Sequence, residues 1–293
     1  MERIGDLKAA SGRWLVRWAR RLAQGVLAGL ILAAASAPAQ DPGWRQLASG
    51  FDLGRFAGAG RQGGREIQVV VVRVDPGKWD LRLGLASETE GIDGLSAREW
   101  CQRKGFVAAI NAGMFATDYL THIGFLQHRD HFNNPRVSRY QSVAAFCPQR
   151  AGLPRFRIFD RDAPDFSMEA IRDDYHCIVQ NLRLIKRPGQ NRWEPQAKGW
   201  IEAALGEDSR GRALLIMSLT ACSMHEFNQT LLDLPLDIVC AQHLEGGPEA
   251  QLYVSVGDVS LEIVGGYETR LLRASGLNAA WSLPNVIGVA ARP

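Results

Sequence analysis

The 293-residue sequence has almost no charge excess: 34 Lys and Arg face 31 Asp and Glu, leaving a formal +3. A phosphate-backbone partner needs clustered cations, so nucleic acid is not expected as a partner. Cysteine is scarce, five in all, and no C-x-x-C pair occurs, so zinc ribbons and thioredoxin-type redox motifs are excluded. G-x-S-x-G and H-E-x-x-H are also missing, which leaves a nucleophile-elbow serine and a helical zinc motif without support. There is no heptad or solenoid period and, after Gln40, no Pro/Ser linker or low-complexity tract. With 46% hydrophobic residues, the remainder reads as one folded domain.

Long apolar runs are missing too, apart from Val26 to Ala35. Arg13, Arg17, Arg20 and Arg21 precede that run, and Ser36-Ala37-Pro38-Ala39 follows it. This is the order of a secretory signal, and it predicts cleavage before Gln40. The run is shorter than the ~20 residues of a spanning helix, so membrane attachment is expected only through an uncleaved signal. Residues 1–39 are therefore read as a signal peptide, 40–64 as a lead-in and 65–293 as the domain, with a periplasmic or secreted location. In such a compartment disulfides can form, and one of Cys101, Cys147, Cys177, Cys222 and Cys240 must stay unpaired within a monomer. Cys177 and Cys240 lie in apolar runs and read as buried thiols.

Two stretches repeat one order of elements. In the first, Ser96-Ala97-Arg98-Glu99 has capping-box spacing, a short helix closes at Gly105, and Phe106 to Ile110 reads as a buried strand running into Asn111-Ala112-Gly113. In the second, Ser223-Met224-His225-Glu226 opens a helix, Ile238 to Ala241 reads as a strand, and Glu245-Gly246-Gly247-Pro248 follows. Elsewhere, Arg65 to Val74 and Leu81 to Leu85 read as a hairpin around Asp75-Pro76-Gly77, and Gln251 to Val256 with Val259 to Val264 as another around Gly257-Asp258. Phe156 to Phe159, His176 to Gln180, Leu182 to Ile185, Ala213 to Leu219 and Asn285 to Ala290 are further strand candidates. The expected class is α/β: a single domain with a mixed β-sheet, packed helices, and glycine loops at the carboxyl ends of strands, where ligands bind in open sheets.

Glu245 is the most informative carboxylate, because two glycines behind it let backbone amides approach a ligand. A solvated Glu in an ordinary turn would have the same spacing. Asn111 can orient a substrate hydroxyl or simply tolerate a left-handed backbone before Gly113. Glu249 and Asp118 are candidates for a second carboxylate. Thr121, Asn133, Asn134 and His243 are candidate substrate contacts, although His243 also reads as a partly buried polar residue. His122, His128 and His131 fall within ten residues, a weakly metal-like spacing without a Cys pair or zinc helix beside it, and no metal or other cofactor is expected. Gly206 to Gly211 is acidic enough for calcium but reads as a turn.

Taken together, Ala109-Ile110-Asn111-Ala112-Gly113-Met114-Phe115, Val179-Gln180-Asn181, Ala203-Ala204-Leu205-Gly206 and His243-Leu244-Glu245-Gly246-Gly247-Pro248 resemble the phosphodiester glycosidase domain, the family of the lysosomal uncovering enzyme and of exported bacterial proteins. The resemblance runs from about Arg65 to Ala290. It implies cleavage of a sugar-phosphodiester bond, with a carbohydrate or sugar-phosphate as substrate. Asn111 and Gly113 match an N-G-G-F-F-like loop, and Glu245, Gly246 and Gly247 match an L-D-G-G loop in which Glu replaces the commoner Asp. Glu202 stands where the uncovering-enzyme branch has Arg. On this reading Glu245 is the nucleophile or electrostatic stabiliser and Asn111 the positioning group. Amides of Gly246 and Gly247, with Arg136, Arg139 or Lys198, would hold the leaving phosphate. The competing readings are a silent carbohydrate-binding or envelope-assembly protein on the same fold, and a metal-dependent hydrolase built on His122, His128 and His131.

Overall fold

The computed structural model describes residues 43–59, 66–266 and 280–292. The expected signal peptide, 1–39, lies outside the described residues. Three sheets account for most of the chain. The largest has eight strands in the order β1 (Trp44–Ala48), β2 (Phe51–Ala59), β3 (Glu66–Val74), β14 (Ala213–Ser218), β13 (Glu202–Asp208), β15 (Ile238–Gly246), β11 (Arg183–Lys186) and β12 (Gln190–Asn191). A five-stranded sheet runs β7 (His131–Asn134), β6 (Leu126–His128), β10 (Tyr175–Asn181), β8 (Ser142–Pro148) and β9 (Phe156–Asp160). The third runs β17 (Val259–Val264), β16 (Gln251–Val256), β5 (Ala108–Asn111), β18 (Asn285–Ala291) and β4 (Trp79–Leu85).

The three sheets turn one face each toward a common core. Val70, Val72 and Leu215 of the first, Ala144, Phe146 and Val179 of the second, and Leu83, Ile110 and Leu252 of the third all belong to it. Each sheet then covers its other face with one short helix. Met224–Asp233 sets Met224, Phe227 and Leu231 on Val69, Val71 and Ile216. Ala97–Lys104 sets Trp100 and Cys101 on Ala109 and Val286, and Met168–Asp174 sets Ile171 near Val143 and Ile178. Burial on both faces explains why Val69 to Val72 is an unbroken apolar run and not an alternation. Each such side chain contributes about 1.5–3 kcal/mol through the area removed from water.

Both capping boxes form: Ser96 and Glu99, and Ser223 and Glu226, exchange side-chain and backbone hydrogen bonds, and Gly105 closes the first helix in the left-handed conformation. The β16–β17 hairpin also forms.

Three expectations change. Every strand pair among the described residues is antiparallel, so the sheets are not mixed. With 49% of the described residues in strands and 13% in helices, the fold is chiefly β, and α/β fits it only loosely. The helices lie on outer faces and do not act as crossovers between parallel neighbours. The expected hairpin of β3 and β4 does not form either: β3 pairs with β2 and β14, while β4 pairs with β18 in another sheet. Periodicity identified both strands but carries no information on partners, and the turn at Asp75 hands the chain from one sheet to the next. Finally, the segment read only as a lead-in includes β1 and β2, the edge of the eight-stranded sheet. Among the described residues no helix is long and apolar enough to cross a membrane.

Candidate active site

The two glycine loops meet, and Asn111 joins them. At the end of β5, its side-chain amide donates to the carbonyl of Glu249 (2.9 Å) and its Oδ1 accepts from the amide of Gln251 (2.8 Å). The side chain is 1% exposed, so it clasps the second loop from beneath and presents no free group to a ligand. Gly113 follows at a close approach: a Cβ there would sit 2.2 Å from Oδ1 of Asn181, whose amide in turn donates to the carbonyl of Ala112 (2.8 Å).

Above the clasp is a cavity of about 460 Å³ lined by Met114, Lys198, Trp200, His243, Glu245 and Glu249, with Gly246 and Gly247 in its wall. β15 reaches it through a register shift, where His243 and Glu245 face the consecutive residues Ala204 and Ala203 of β13. Such a bulge re-aims the end of a strand. Gly246 is required by sterics, because a Cβ would meet the Trp200 ring at 2.5 Å.

Burial pushes the Glu245 carboxyl up to about 7, helped by the negative charges of Glu249 and Glu202 and opposed by the Gly246 amide and His243. It is therefore divided between its acid and its carboxylate near neutrality. Beneath it lies a second acid. Glu202, fully buried on β13, lies 2.9 Å from Nδ1 of His243, an ion-pair contact. Burial works against the charged form of His243, yet Glu202 beside it prevails and the imidazole is raised above its ordinary range. Burial raises Glu202 likewise.

Of the residues proposed from sequence, Glu245, Glu249, His243, Gly246 and Gly247 come together at this cavity, with Lys198 exposed over the face of Trp200 at 5.3 Å. The glycine amides are not free for a phosphate: that of Gly246 donates to Oε1 of Glu245 (3.0 Å) and that of Gly247 to the carbonyl of Ile201 (2.9 Å). Asp118 is turned into its own loop, accepting from the amides of Leu120 and Thr121 and from the Thr121 hydroxyl (2.6 Å). Asn133 and Asn134 brace the same loop through the amide and carbonyl of His122. Arg136 and Arg139 are exposed and do not line the cavity. The three clustered histidines go to separate partners: His122 to the carbonyl of Gln180, His128 to Glu88, and His131 to Ser87. Buried and desolvated, His122 is lowered to about 4 and stays neutral. Among the described residues no group of three or more His, Cys, Asp or Glu is placed to hold a metal ion. The Gly206 to Gly211 stretch ends β13 in a turn, with Asp208 accepting from the amides of Arg210 and Arg212.

Trp200 and Met114 escaped the sequence reading as site components, and so did the pairing of Glu202 with His243. The only signal for Trp200 was indirect: it stands two residues before the strand that carries the Ala203-Ala204-Leu205-Gly206 motif.

The phosphodiester glycosidase family model matches residues 104–290, more than half the chain. Among curated proteins none matches the sequence. The catalytic domain of zebrafish N-acetylglucosamine-1-phosphodiester alpha-N-acetylglucosaminidase, solved in a form auto-inhibited by its pro-peptide, has a similar fold: TM-score 0.60 at 11% identity, covering 87% of this chain and 85% of that one. A hypothetical protein from Synechocystis is similar at TM-score 0.55 and 14% identity, over 87% of this chain and 65% of that one. The order of motifs along the chain, the two loops clasped through Asn111 and the match over residues 104–290 agree: this chain belongs to the phosphodiester glycosidase family.

Proposed function

We propose that this protein is an exported hydrolase that cleaves the bond between a sugar's anomeric carbon and a phosphodiester oxygen in an envelope or extracellular glycan. The observation that carries the reading is Glu245, a half-buried carboxyl held near neutrality at the mouth of the cavity that the family's two glycine loops enclose. Breaking the glycosidic bond develops oxocarbenium character, which an ionised carboxylate stabilises or captures. The leaving group is a phosphate monoester, already anionic and in need of little protonation, so Glu245 works as the carboxylate. Trp200 offers an aromatic face to the sugar ring, and Lys198 is the cation within the cavity for the phosphate. Asn111 acts through the loop it clasps and is a positioning residue. The Glu202–His243 pair sets the field beneath Glu245. The arginine-led apolar segment at the N-terminus supports export.

A second reading, a carbohydrate-binding protein without turnover, is favoured by two features: the amides of Gly246 and Gly247 are engaged within the protein, and Glu202 fills a position where the uncovering-enzyme branch has Arg. Sugar release from a nitrophenyl or nucleotide-sugar phosphodiester tests the choice. Release that is abolished in Glu245→Gln and rises with pH through about 7 supports the hydrolase. Saturable glycan binding without release supports the second reading, and a rate that falls with pH across that range reassigns Glu245 to proton donation.

A further inference from the structure

In the β7-β6-β10-β8-β9 sheet, on the neighbouring strands β8 and β10, two of the five cysteines meet. Sγ of Cys177 on β10 lies 3.1 Å from Sγ of Cys147 on β8, inside ordinary sulfur–sulfur contact. Regular pairing would not bring this about. In the β8–β10 register Cys177 faces Phe146 and Tyr175 faces Pro148, so residue 147 should send its side chain to the opposite face from Cys177. Cys147 instead has a φ of 57°, in the left-handed region that a non-glycine residue adopts at a cost of about 1–2 kcal/mol. That departure breaks the alternation and turns the thiol back onto its neighbour. The other three cysteines, Cys101, Cys222 and Cys240, are buried, and desolvation raises each thiol.

We propose that Cys147 and Cys177 are a redox pair that closes to a disulfide across β8 and β10, with Cys147 as the reacting thiol. Both cysteines border a cavity of about 710 Å³ with Arg82, Arg129, Arg155 and His176; Cys147 is half-buried there, whereas Cys177 is fully buried. The thiol of Cys177 donates to Cys147, and this hydrogen bond, with Arg82 and Arg129 nearby, draws the Cys147 thiol below its ordinary range against burial and Asp80. Burial, then the Cys147 neighbour, pushes Cys177 well above it. The sequence of steps follows from this asymmetry. The Cys147 thiolate attacks a small-molecule or protein disulfide, forming a mixed disulfide and expelling one thiolate of that reagent. The Cys177 thiol then loses its proton and attacks Sγ of Cys147, expelling the second. Two thiols become one S–S bond, two protons are released, and the external disulfide takes up the two electrons.

The test uses the purified full chain, equilibrated either with dithiothreitol or with an excess of oxidised glutathione, then denatured, alkylated with N-ethylmaleimide and weighed intact. The expected result is five adducts after reduction and three after oxidation, with a peptide map joining the peptide of Cys147 to that of Cys177. Cys101→Ser should keep the link, and Cys147→Ser and Cys177→Ser should each abolish it. Five adducts under both conditions, stable glutathione adducts without an internal link, or a link to any other cysteine would overturn the proposal. Because the count is made on the unmutated chain, a variant that fails to fold leaves the result decisive.

Discussion

The chain builds a helix, a strand and a polar residue before a glycine loop twice, and uses the two products differently. In one unit the Ser96 cap, the Ala97–Lys104 helix and β5 deliver Asn111. In the other, the Ser223 cap, the Met224–Asp233 helix and β15 deliver Glu245. Asn111 is 1% exposed and bonds across 138 residues to the backbone of Glu249, whereas Glu245 sits at the wall of a cavity. The local pattern is shared; the packing around each strand end differs. β5 is central in its sheet between β16 and β18, so its last residue is enclosed. β15 ends past a register shift against β13, and its last residues lean out. Equal local sequence grammar thus produces a clamp in one place and a cavity-lining acid in the other.

The largest expected effect breaks the half that carries the cavity acid. Glu245→Gln keeps shape and burial but removes the charge that would face an oxocarbenium, and kcat on a sugar phosphodiester should fall about 10³-fold. Asn111→Ala breaks the clamp instead. It leaves the carbonyl of Glu249 and the amide of Gln251 without their partner in a buried setting, which costs about 3 kcal/mol in denaturant unfolding. Activity should fall with it, because the Glu245 loop loses its anchor. If Asn111→Ala were inactive yet as stable as the unmutated protein, the clamp description would fail and Asn111 would have to touch substrate.

How far the sequence alone reaches follows from the same contrast. Caps, turn glycines and apolar runs are local, and both Ser-x-x-Glu boxes, the β16–β17 turn and the ends of β5 and β15 were legible from them. Partners are not local. β3 looks the same in sequence whether it pairs with β4 or, as it does, with β2 and β14. Nor do the short strands β6 and β7 show enough alternation to be distinguished from loop. At the cavity, Glu245 stood out in the sequence because two glycines follow it, whereas Trp200 did not, because no local pattern shows that it packs against Gly246; Glu202 was singled out, but its place beside His243 comes only from the β13–β15 pairing. Asp118 and Thr121 were misleading for the opposite reason: polar residues in a loop can satisfy one another.

A third, smaller effect sharpens the energetic difference between clamp and acid. The carboxyl of Glu245 titrates near 7 in the folded chain and near 4.5 when unfolded. A raised value means the group's contribution to stability is complete below about 4.5 and is lost as pH rises through about 7. The nominal loss of about 3 kcal/mol is discounted to about 2 because Glu245 keeps some contact with solvent. Glu245→Gln cannot ionise, so its stability should exceed that of the unmutated protein above pH 7 and converge with it near pH 4.5. Unfolding curves at both pH values check this. Asn111→Ala should show no such pH-dependent gap.

The smallest effect tests what the two units share. Ser96→Ala and Ser223→Ala each remove a side-chain cap and the Ser half of a capping box, and each should cost about 1 kcal/mol. Their functional consequences should diverge. Met224, the first residue of the second helix, lines the Glu245 cavity, so fraying that helix start loosens a wall of the site and raises KM about two- to threefold, in line with 1 kcal/mol or less of lost positioning. The first helix packs on the outer face of its sheet, with Trp100 on Val286 and Ala109, and contributes no side chain to the cavity. Ser96→Ala should therefore leave KM unchanged at the same loss of stability. Equal stability losses with equal kinetic effects would mean that the two units are coupled through the Asn111 clasp more tightly than their separate helices suggest.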